Sequence, residues 1–168
     1  NGFRDNSYLG RNDTNGRDET TLRGRLRWLP SDTLSVDFAA LFADVDNGYD
    51  AFAIDNSLTM LSDKPGRDTQ ESLGGSLRIE WSALSWATLT SITAVADSDI
   101  DFDFDADWGN DDGWAPVTYD FGSLSNRSRR TVSQELRFAS SEEGRIFGGT
   151  TDWLAGLYVL ELEDDLVT

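Results

Sequence analysis

The sequence predicts an all-β protein, built as an antiparallel up-and-down meander of about seven strands. Apolar and polar residues alternate along most of the chain, and alternate residues of a strand face opposite sides of a sheet. These runs are separated by Gly, Asn, Asp and Pro, the residues that favour turns. Short and long connections also alternate, as in barrels whose consecutive strands run up and down. Helical periodicity is almost absent, so a helical or α/β fold is disfavoured.

Seven segments are predicted as strands, the first of them weakly. The clearest is 20–29, where apolar residues occupy one face and three arginines occupy the other. The predicted strands are 3–9, 20–29, 34–45, 72–81, 86–108, 129–140 and 153–162. The shorter connections are 30–32, 82–85 and 141–152, and the longer ones are 10–18, 47–70 and 109–126.

Composition excludes several classes of function. The chain has 31 acidic and 14 basic residues, a net charge of −17, whereas nucleic-acid-binding proteins carry basic patches. It contains neither Cys nor His, so disulfides, thiolate metal sites and a Ser-His-Asp triad are impossible. We therefore predict that the protein is not an enzyme, and we assign no cofactor and no metal ligands. No apolar run approaches the roughly 20 residues of a membrane-spanning helix, which leaves β-strands as the possible spans.

Aromatic residues fall at two levels of the predicted sheet. One group lies beside the shorter connections and consists of Trp28, Trp81, Trp86 and Trp153. The other lies toward the longer connections and consists of Phe52, Phe104, Trp108, Trp114, Tyr119 and Phe121. Two aromatic levels with apolar positions between them are typical of the belts that flank the lipid-facing side of a transmembrane barrel. The pattern favours an open, curved part of a large transmembrane β-barrel over a soluble sandwich with tryptophans at its edges.

Several segments, taken in chain order, resemble TonB-dependent outer-membrane receptors. They are 3–19 (FRDNSYLGRNDTNGRDE), the strand–turn–strand around 28–32 (WLPSD), 46–52 (DNGYDAF), 62–68 (SDKPGRD), 133–138 (SQELRF) and 152–159 (DWLAGLYV). The resemblance implies that residues 1–168 form a single region, a partial β-barrel, in the outer membrane of a Gram-negative bacterium. The plug domain and the remaining barrel strands of such a receptor are absent from this sequence.

The resemblance also implies a function and partners. The parent receptor takes up a small extracellular ligand, of the siderophore, cobalamin or glycan class, across the outer membrane. Its partners are outer-membrane lipid and, through the missing parts of the parent chain, the plug domain and TonB. The shorter connections are then periplasmic and the longer ones extracellular.

The segment 86–108 has Asp at every second position from Asp97 to Asp107. If Trp86, Ile92, Ile100 and Phe102 face lipid, these carboxylates face the barrel lumen, where polar side chains are expected. Pairing Trp86 near Ser140 places two arginines of the next strand on the same face as the carboxylates. We therefore predict the cross-strand ion pairs Asp97–Arg129 and Asp99–Arg127.

The sequence shows no partner for the remaining carboxylates, Asp101, Asp103, Asp105 and Asp107. They are candidates for a ligand or cation site at the barrel mouth, because hard cations prefer clustered carboxylates. The alternative is a solvated acidic face. The spacing of Asp103, Asp105 and Asp107 superficially resembles a calcium loop, but the Gly is one position late and the closing Glu is missing. In the long loops, Tyr49, Phe52 and Trp114 are ligand candidates, with a girdle or loop-packing role as the alternative.

Two further alternatives stay open. The stripe Arg23, Arg25 and Arg27 suits an anion, but pairing with a lumen carboxylate such as Asp37, or contact with the plug, is favoured. The competing class of protein is a soluble, secreted β-sandwich that binds calcium or glycan. Behaviour without detergent separates these classes, because membrane strands require detergent or lipid and a sandwich does not.

Overall fold

A computed structural model describes residues 4–12 and 14–168 of the chain. Eight strands and one helical turn occur in these residues. The strands are β1 (Asp5–Asn6), β2 (Glu19–Ser31), β3 (Leu34–Gly48), β4 (Thr59–Met60), β5 (Arg67–Trp81), β6 (Ala87–Asp105), β7 (Gly122–Ser140) and β8 (Leu154–Val167), and the helical turn is α1 (Asp111–Trp114). No helix in these ranges is long and apolar enough to cross a membrane.

Six of the strands form one antiparallel sheet in the order β2-β3-β5-β6-β7-β8. Each long strand lies beside the long strand that precedes it in the chain, so the prediction of an all-β antiparallel meander is confirmed. The described sheet is open, with β2 and β8 at its edges. Strand β6 ends at Asp105, before the predicted end at residue 108, but the other long strands run further toward the longer connections than the sequence predicts. The reason is that continuous backbone hydrogen bonding to a neighbouring strand outweighs the polar character of segments such as 122–128.

The predicted first strand does not join this sheet. Strand β1, which lies within the predicted first strand, instead pairs in parallel with β4 in a separate two-stranded sheet, with Asp5 opposite Thr59. Phe3, the first residue of that prediction, lies outside the described residues, as does Asp13. The meander therefore has six strands in the described ranges instead of about seven, because the turn-rich segment that follows bends the chain away before a longer ladder forms.

Alternation along β2 to β7 gives the sheet two chemically different sides, whereas on β8 apolar residues such as Leu157 and Leu160 lie on both sides. The side that we call the apolar face carries Leu22, Leu26, Trp28, Val36, Phe38, Phe42, Leu73, Leu77, Ile79, Trp81, Leu89, Val95, Val132, Leu136, Phe138, Leu157 and Val159. The side that we call the polar face carries Arg23, Arg25, Arg27, Asp37, Ser72, Ser76, Arg78, Glu80, Arg127, Arg129, Ser133, Glu135 and Arg137. This separation of faces follows from the period of two in the sequence.

The sheet is a single layer. The buried apolar residues of the described ranges are Met60 and Ala87, whereas large side chains of the apolar face, such as Leu26 at 65 % exposure and Leu73 at 61 %, stand open. Most buried residues are instead polar and lie near the longer connections; they are Asn6, Thr14, Asn47, Asp50, Ser62, Asp105, Asp107 and Asn110. No second layer covers the apolar face in the part of the chain that the structure describes.

The predicted pairing of β6 with β7 is wrong by one residue. Ala87 lies opposite Ser140, which places Asp97 opposite Arg130 and Asp99 opposite Ser128. A shift of one residue moves every side chain to the other face of the sheet. The aspartates from Asp97 to Asp103 therefore continue the apolar face beyond its apolar residues. Ile92, Ile100 and Phe102, which were predicted to face lipid, share the polar face with the arginines of β7.

The two predicted ion pairs are consequently absent. Asp97 approaches Arg130, with Nε 3.8 Å from Oδ1. Arg127 and Arg129 both pair with Asp164 of β8, on the polar face, and the Arg129 Nη2 to Oδ2 distance is 3.1 Å. The sequence suggested the wrong partner because it shows which residues alternate but not which register the turn selects.

The connection after β7 selects that register. The Ser141 amide donates to the Trp86 carbonyl over 3.0 Å, and the Gly144 amide donates back to Ser141 at 3.1 Å. A Cβ on Gly144 would stand 1.7 Å from the Trp86 carbonyl oxygen, so only glycine permits this close approach. The Trp86 ring meanwhile stacks on Phe138 and Trp153. These contacts hold Trp86 opposite Ser141 and fix the pairing of the whole hairpin.

Candidate functional site at the loop end of the sheet

The end of the sheet that carries the longer connections, here called the loop end, is held by a buried polar clamp. Asn6 Nδ2 donates to Asp50 Oδ2 at 2.8 Å and to the Ser62 carbonyl at 2.9 Å. Ser62 Oγ donates to the other oxygen of Asp50 at 2.8 Å. All three side chains are buried, so their polar groups depend on one another for hydrogen bonds. The clamp ties the N-terminal segment to the loop 49–66, which gives β1 its role.

Asp107 organises the loop 106–121. Its Oδ1 accepts hydrogen bonds from the Gly109 amide at 2.9 Å and from Trp114 Nε1 at 3.0 Å, and its Oδ2 accepts one from the Phe121 amide at 2.8 Å. Burial opposes ionisation here, but these three donors outweigh it and hold the pKa of Asp107 below its ordinary value. The predicted ligand residues Asp107 and Trp114 thus lie together. The hydrogen bonds of the carboxylate are made within the loop and stabilise it.

Hydrogen bonds, an ion pair and a stacked pair of rings join the loops 49–66 and 106–121. Asn110 caps α1 by accepting a hydrogen bond from the Gly113 amide at 2.9 Å, and its Nδ2 donates to the Leu61 carbonyl at 2.6 Å. Lys64 forms an ion pair with Asp120 and a longer one, 3.7 Å, with Asp63. The loop end is therefore a connected unit of side chains from three separate segments.

Asp101 and Asp103 also have partners. Asp101 Oδ1 accepts a hydrogen bond from Asn126 Nδ2 at 2.6 Å. Asp103 receives two from Arg67, one from the backbone amide at 2.9 Å and one from Nε at 2.8 Å. The expectation that these carboxylates stand without partners is wrong, because β5 and β7 are paired with this part of β6 and supply the donors. Each carboxylate is thus engaged within the chain.

Asp105 differs from its neighbours. It is 5 % exposed; its Oδ1 accepts a hydrogen bond from the Asp107 amide at 3.1 Å, and its Oδ2 has no partner among the described residues. Burial, together with the charges of Asp107 and Asp63, raises the pKa of Asp105 to about 6, despite the opposing effect of the hydrogen bond from the Asp107 amide. The carboxyl therefore changes its ionisation near neutral pH.

Asp105→Asn is expected to remove a pH dependence of loop stability. Because the folded pKa lies above the ordinary value of 3.8, the contribution of this carboxyl is complete below about pH 4 and is lost as the pH rises through about 6. The asparagine side chain does not ionise, so the variant should not lose this stability as the pH rises. The stability of the variant relative to the wild type should therefore increase from pH 4.5 to pH 8. Thermal unfolding at several pH values measures this difference. Asp112→Asn, on an exposed side chain of α1, is the control and should show no such trend; a constant difference for Asp105→Asn contradicts the prediction.

Five aromatic rings form a cluster at the loop end: Tyr49, Phe52, Phe102, Phe104 and Trp108. Tyr49 meets Phe102 edge-on with ring centroids 4.7 Å apart, and Phe52 stacks on Trp108 at 5.3 Å. Trp108 has φ of 61°, a left-handed conformation that is uncommon for a bulky residue, and its side chain is 42 % exposed. The cluster offers a partly open aromatic surface on which a flat or apolar group can stack.

The aromatic cluster changes two of the sequence predictions. Phe104, which was predicted for the second aromatic level, and Phe102, which was predicted to face lipid, both extend from the polar face of the sheet. Tyr49 belongs to the cluster, whereas Trp114 packs against Tyr119 with centroids 5.2 Å apart. Sequence reasoning missed Phe102 as part of this group because it assigned the residue to the lipid side. A pairing of β6 with β7 shifted by one residue would have placed Phe102 on the polar face.

Within the described ranges, no group of three or more acidic side chains is arranged to hold a metal ion. The carboxylates of the candidate calcium loop instead point to different partners: Arg67 for Asp103, a backbone amide for Asp105 and three donors for Asp107. The geometry thus gives the cation alternative no support.

No protein-family model, curated protein or solved structure matches the chain. The function must therefore be argued from the geometry of the sheet and of its loop end.

Proposed function

We propose that the sheet is part of the wall of an outer-membrane β-barrel, that of a TonB-dependent receptor which takes up a small extracellular ligand. The observation that carries the proposal is a continuous apolar band on one face of a single-layer sheet, with no other part of the described chain covering it. Burying such a band against lipid is favourable, and exposing it to water is costly.

The height of the band fits a membrane. On β5 it extends from Leu73 to Trp81, and on β3 from Leu34 to Phe42. Eight residue steps along a strand correspond to about 26 Å, or to about 23 Å of height for a strand tilted by about 30°, close to the roughly 25 Å of the lipid-facing band of outer-membrane barrels. Beyond the band the same face becomes charged, with Asp44 and Glu71 opposite each other. Apolar character therefore ends where the headgroup region is expected.

The band has parallel edges that run obliquely across the sheet. Its upper edge, the one nearer the loop end, passes from Leu22 on β2 to Val159 on β8. The residue of β8 that shares a row of the sheet with Leu22 lies four residues nearer the loop end than Val159. Its lower edge shifts by the same amount, from Trp28 to Trp153. Four residues, about 13 Å, over five strand spacings, about 24 Å, correspond to a tilt of about 30°. Such a tilt approaches the roughly 35–45° of barrel strands relative to the membrane normal.

The lower edge is also marked by aromatic rings. Trp28 and Trp81 end the band on β2 and β5, and Trp86 and Trp153 stack with centroids 6.1 Å apart beside β7 and β8. Aromatic side chains of this size favour the membrane–water interface. These rings support the prediction of a belt on the side of the shorter connections.

Three polar side chains lie inside the band, and they satisfy one another. Gln134 Nε2 donates to Ser91 Oγ at 3.0 Å, and Thr93 donates to Gln134 Oε1 at 2.5 Å. Hydrogen bonds made within the sheet limit the cost of placing such groups next to lipid. The group is therefore compatible with the proposed environment.

In this proposal the loop end faces the outside of the cell and the polar face lines the lumen. The segments that resemble the receptor family supply Asp50 and Ser62 to the clamp, Tyr49 to the aromatic cluster and Arg67 to Asp103. The ligand would meet the aromatic cluster first. Lipid, the plug domain and TonB are the partners that this function requires.

A cysteine scan of β5 tests the proposal, because the chain contains no other Cys. A polarity-sensitive fluorophore at Leu73→Cys or Leu77→Cys should report an apolar environment and be quenched by lipids brominated on their acyl chains. The matched positions Ser72→Cys and Ser76→Cys, one residue away on the polar face, should show neither effect. The measurement is made on the protein reconstituted in phosphatidylcholine vesicles. Equal signals at the four positions, or a protein that remains in solution without detergent, would instead indicate a soluble sandwich.

A further inference from the structure

Two arginines on the polar face stand without partners. Arg23 and Arg25 make neither an ion pair nor a side-chain hydrogen bond with the described residues. The other basic side chains of strands β2 to β7 all lie in ion pairs: Arg27, Arg67, Arg78, Arg127, Arg129, Arg130 and Arg137. In a chain with 31 acidic and 14 basic residues, two adjacent cations left unpaired are unexpected.

The nearest carboxylate is already occupied. Asp37 lies opposite Arg27, and its Oδ1 and Oδ2 accept hydrogen bonds from Arg27 at 2.6 and 3.0 Å. Arg78 approaches the same carboxylate at 3.7 Å. Arg25 lies close enough to feel the charge of Asp37 but does not form a pair with it. The expectation that the arginine stripe pairs with a carboxylate such as Asp37 therefore holds for Arg27 and not for Arg23 or Arg25.

The surroundings of the two free guanidinium groups leave room for a ligand. The residues opposite them on β3 are Leu41 and Ala39, and the next strand contributes Gly74 and Ser76. A shallow, open hollow of about 420 Å³ lies between Arg23, Leu41 and the small residues Gly74 and Ser76. A second hollow, of about 560 Å³, lies beside Arg25 and reaches Arg78 and Ile92. The small residues Ala39, Gly74 and Ser76 keep the polar face open beside the two cations.

We propose that Arg23 and Arg25 form a binding site for an oxyanion with at least two carboxylate or phosphate groups. The guanidinium fork binds such groups with paired, charge-assisted hydrogen bonds. Side chains two residues apart on one face of a strand are separated by about 6.6 Å, so each arginine engages a different anionic group. Without an anion the two cations repel each other, and an anion between them removes that repulsion.

The site is independent of the membrane band, because it lies on the other face of the sheet. A failure to bind anions would leave the proposed function standing, and a failure to insert into lipid would leave the arginines unpaired. The anionic groups have two possible sources, a soluble polycarboxylate or polyphosphate and an acidic segment of polypeptide. Both present the same chemistry, and the experiment separates them.

Calorimetric titration of the reconstituted protein at low ionic strength tests the site with two probes. Citrate represents a soluble anion, and the peptide acetyl-Glu-Gly-Glu-amide represents an acidic strand whose carboxylates repeat every second residue. Saturable binding of either probe is expected, and the tighter probe identifies the source. The double variant Arg23→Gln/Arg25→Gln should weaken binding by about tenfold or more, because both charge-assisted forks are lost.

A matched variant separates the site from general charge. Arg129→Gln/Arg137→Gln removes the same charge from the same face, but these arginines have acidic partners at Asp164 and Glu135. This variant should change the affinity by no more than about twofold, because the ion pairs that it breaks are exposed and lie away from Arg23 and Arg25. Arg23→Lys/Arg25→Lys keeps the charge without the fork and should bind with intermediate affinity. Equal losses in the two glutamine variants, or no saturable binding of citrate and peptide to the wild type, would overturn the proposal.

Discussion

Replacing Leu77 with arginine is expected to destabilise the protein in a bilayer by about 2–4 kcal/mol, the cost of an arginine at the midplane of the lipid-facing side of a barrel. Leu77 lies at the middle of the apolar band on β5, four residues from both Leu73 and Trp81, and its side chain is 38 % exposed. An arginine there cannot reach the headgroups at either edge without distortion. The effect is read from the denaturant dependence of folding in lipid vesicles.

Ala94→Arg is the control for this measurement. Ala94 lies on β6 beside the partner of Leu77 but on the polar face, opposite Ser76 and Ser133. If the polar face lines a lumen as proposed, an arginine there remains in water, and its cost should be below about 1 kcal/mol. A large cost for both variants would indicate that the polar face is packed against something apolar. A small cost for both would argue against lipid on the apolar face.

Asp107→Ala is expected to open the loop 106–121 and to have the largest effect at the loop end. The carboxylate accepts hydrogen bonds from Gly109, Trp114 and Phe121, and hydrogen bonds to a charged group contribute about 1.5–3 kcal/mol each. Because the loop can relax, we expect a net local loss of about 2–4 kcal/mol. Amide hydrogen exchange within 106–121 should then accelerate by about 30-fold or more.

Asp112→Ala serves as the matched control for Asp107→Ala. Both residues are acidic and lie in the same loop, but Asp112 is exposed in α1. Its removal should change exchange rates in the loop by less than about threefold. If Asp107→Ala leaves the exchange of the Phe121 amide unchanged, the role of Asp107 as the organiser of the loop is wrong.

The two halves of the molecule differ in what holds them together. The sheet relies on backbone ladders and has no apolar core of its own in the described ranges, so its stability must depend on what covers its apolar face. The loop end instead has a buried polar network, in which Asn6, Asp50, Asp107 and Asn110 each bind groups distant in sequence. Mutations in the two halves should therefore respond differently to lipid: those in the sheet strongly, those at the loop end weakly.

The sequence allowed most strands to be predicted, together with which residues of a strand share a face, because alternation with a period of two is a local property; it did not show which face of β6 is the apolar one. Leu22, Leu26 and Trp28 are on one side of β2 whatever strand lies next to it. The order of the strands also followed, since consecutive antiparallel strands tend to be neighbours. Boundaries were less predictable, and residues 122–128 joined β7 only because β6 offers them a partner.

Only the tertiary structure determined the register between neighbouring strands and the partners of their charged and aromatic side chains. The sequence could not show that the turn at Gly144 fits against the Trp86 carbonyl, and that contact shifts β7 by one residue. Because of this shift, Asp97 and Asp99 lie on the other face, and Arg127 forms its ion pair with Asp164. It likewise brought Phe102 into the aromatic cluster with Tyr49. Alternation along a strand is written in neighbouring residues, whereas the choice between two registers depends on contacts between residues that are distant in the chain.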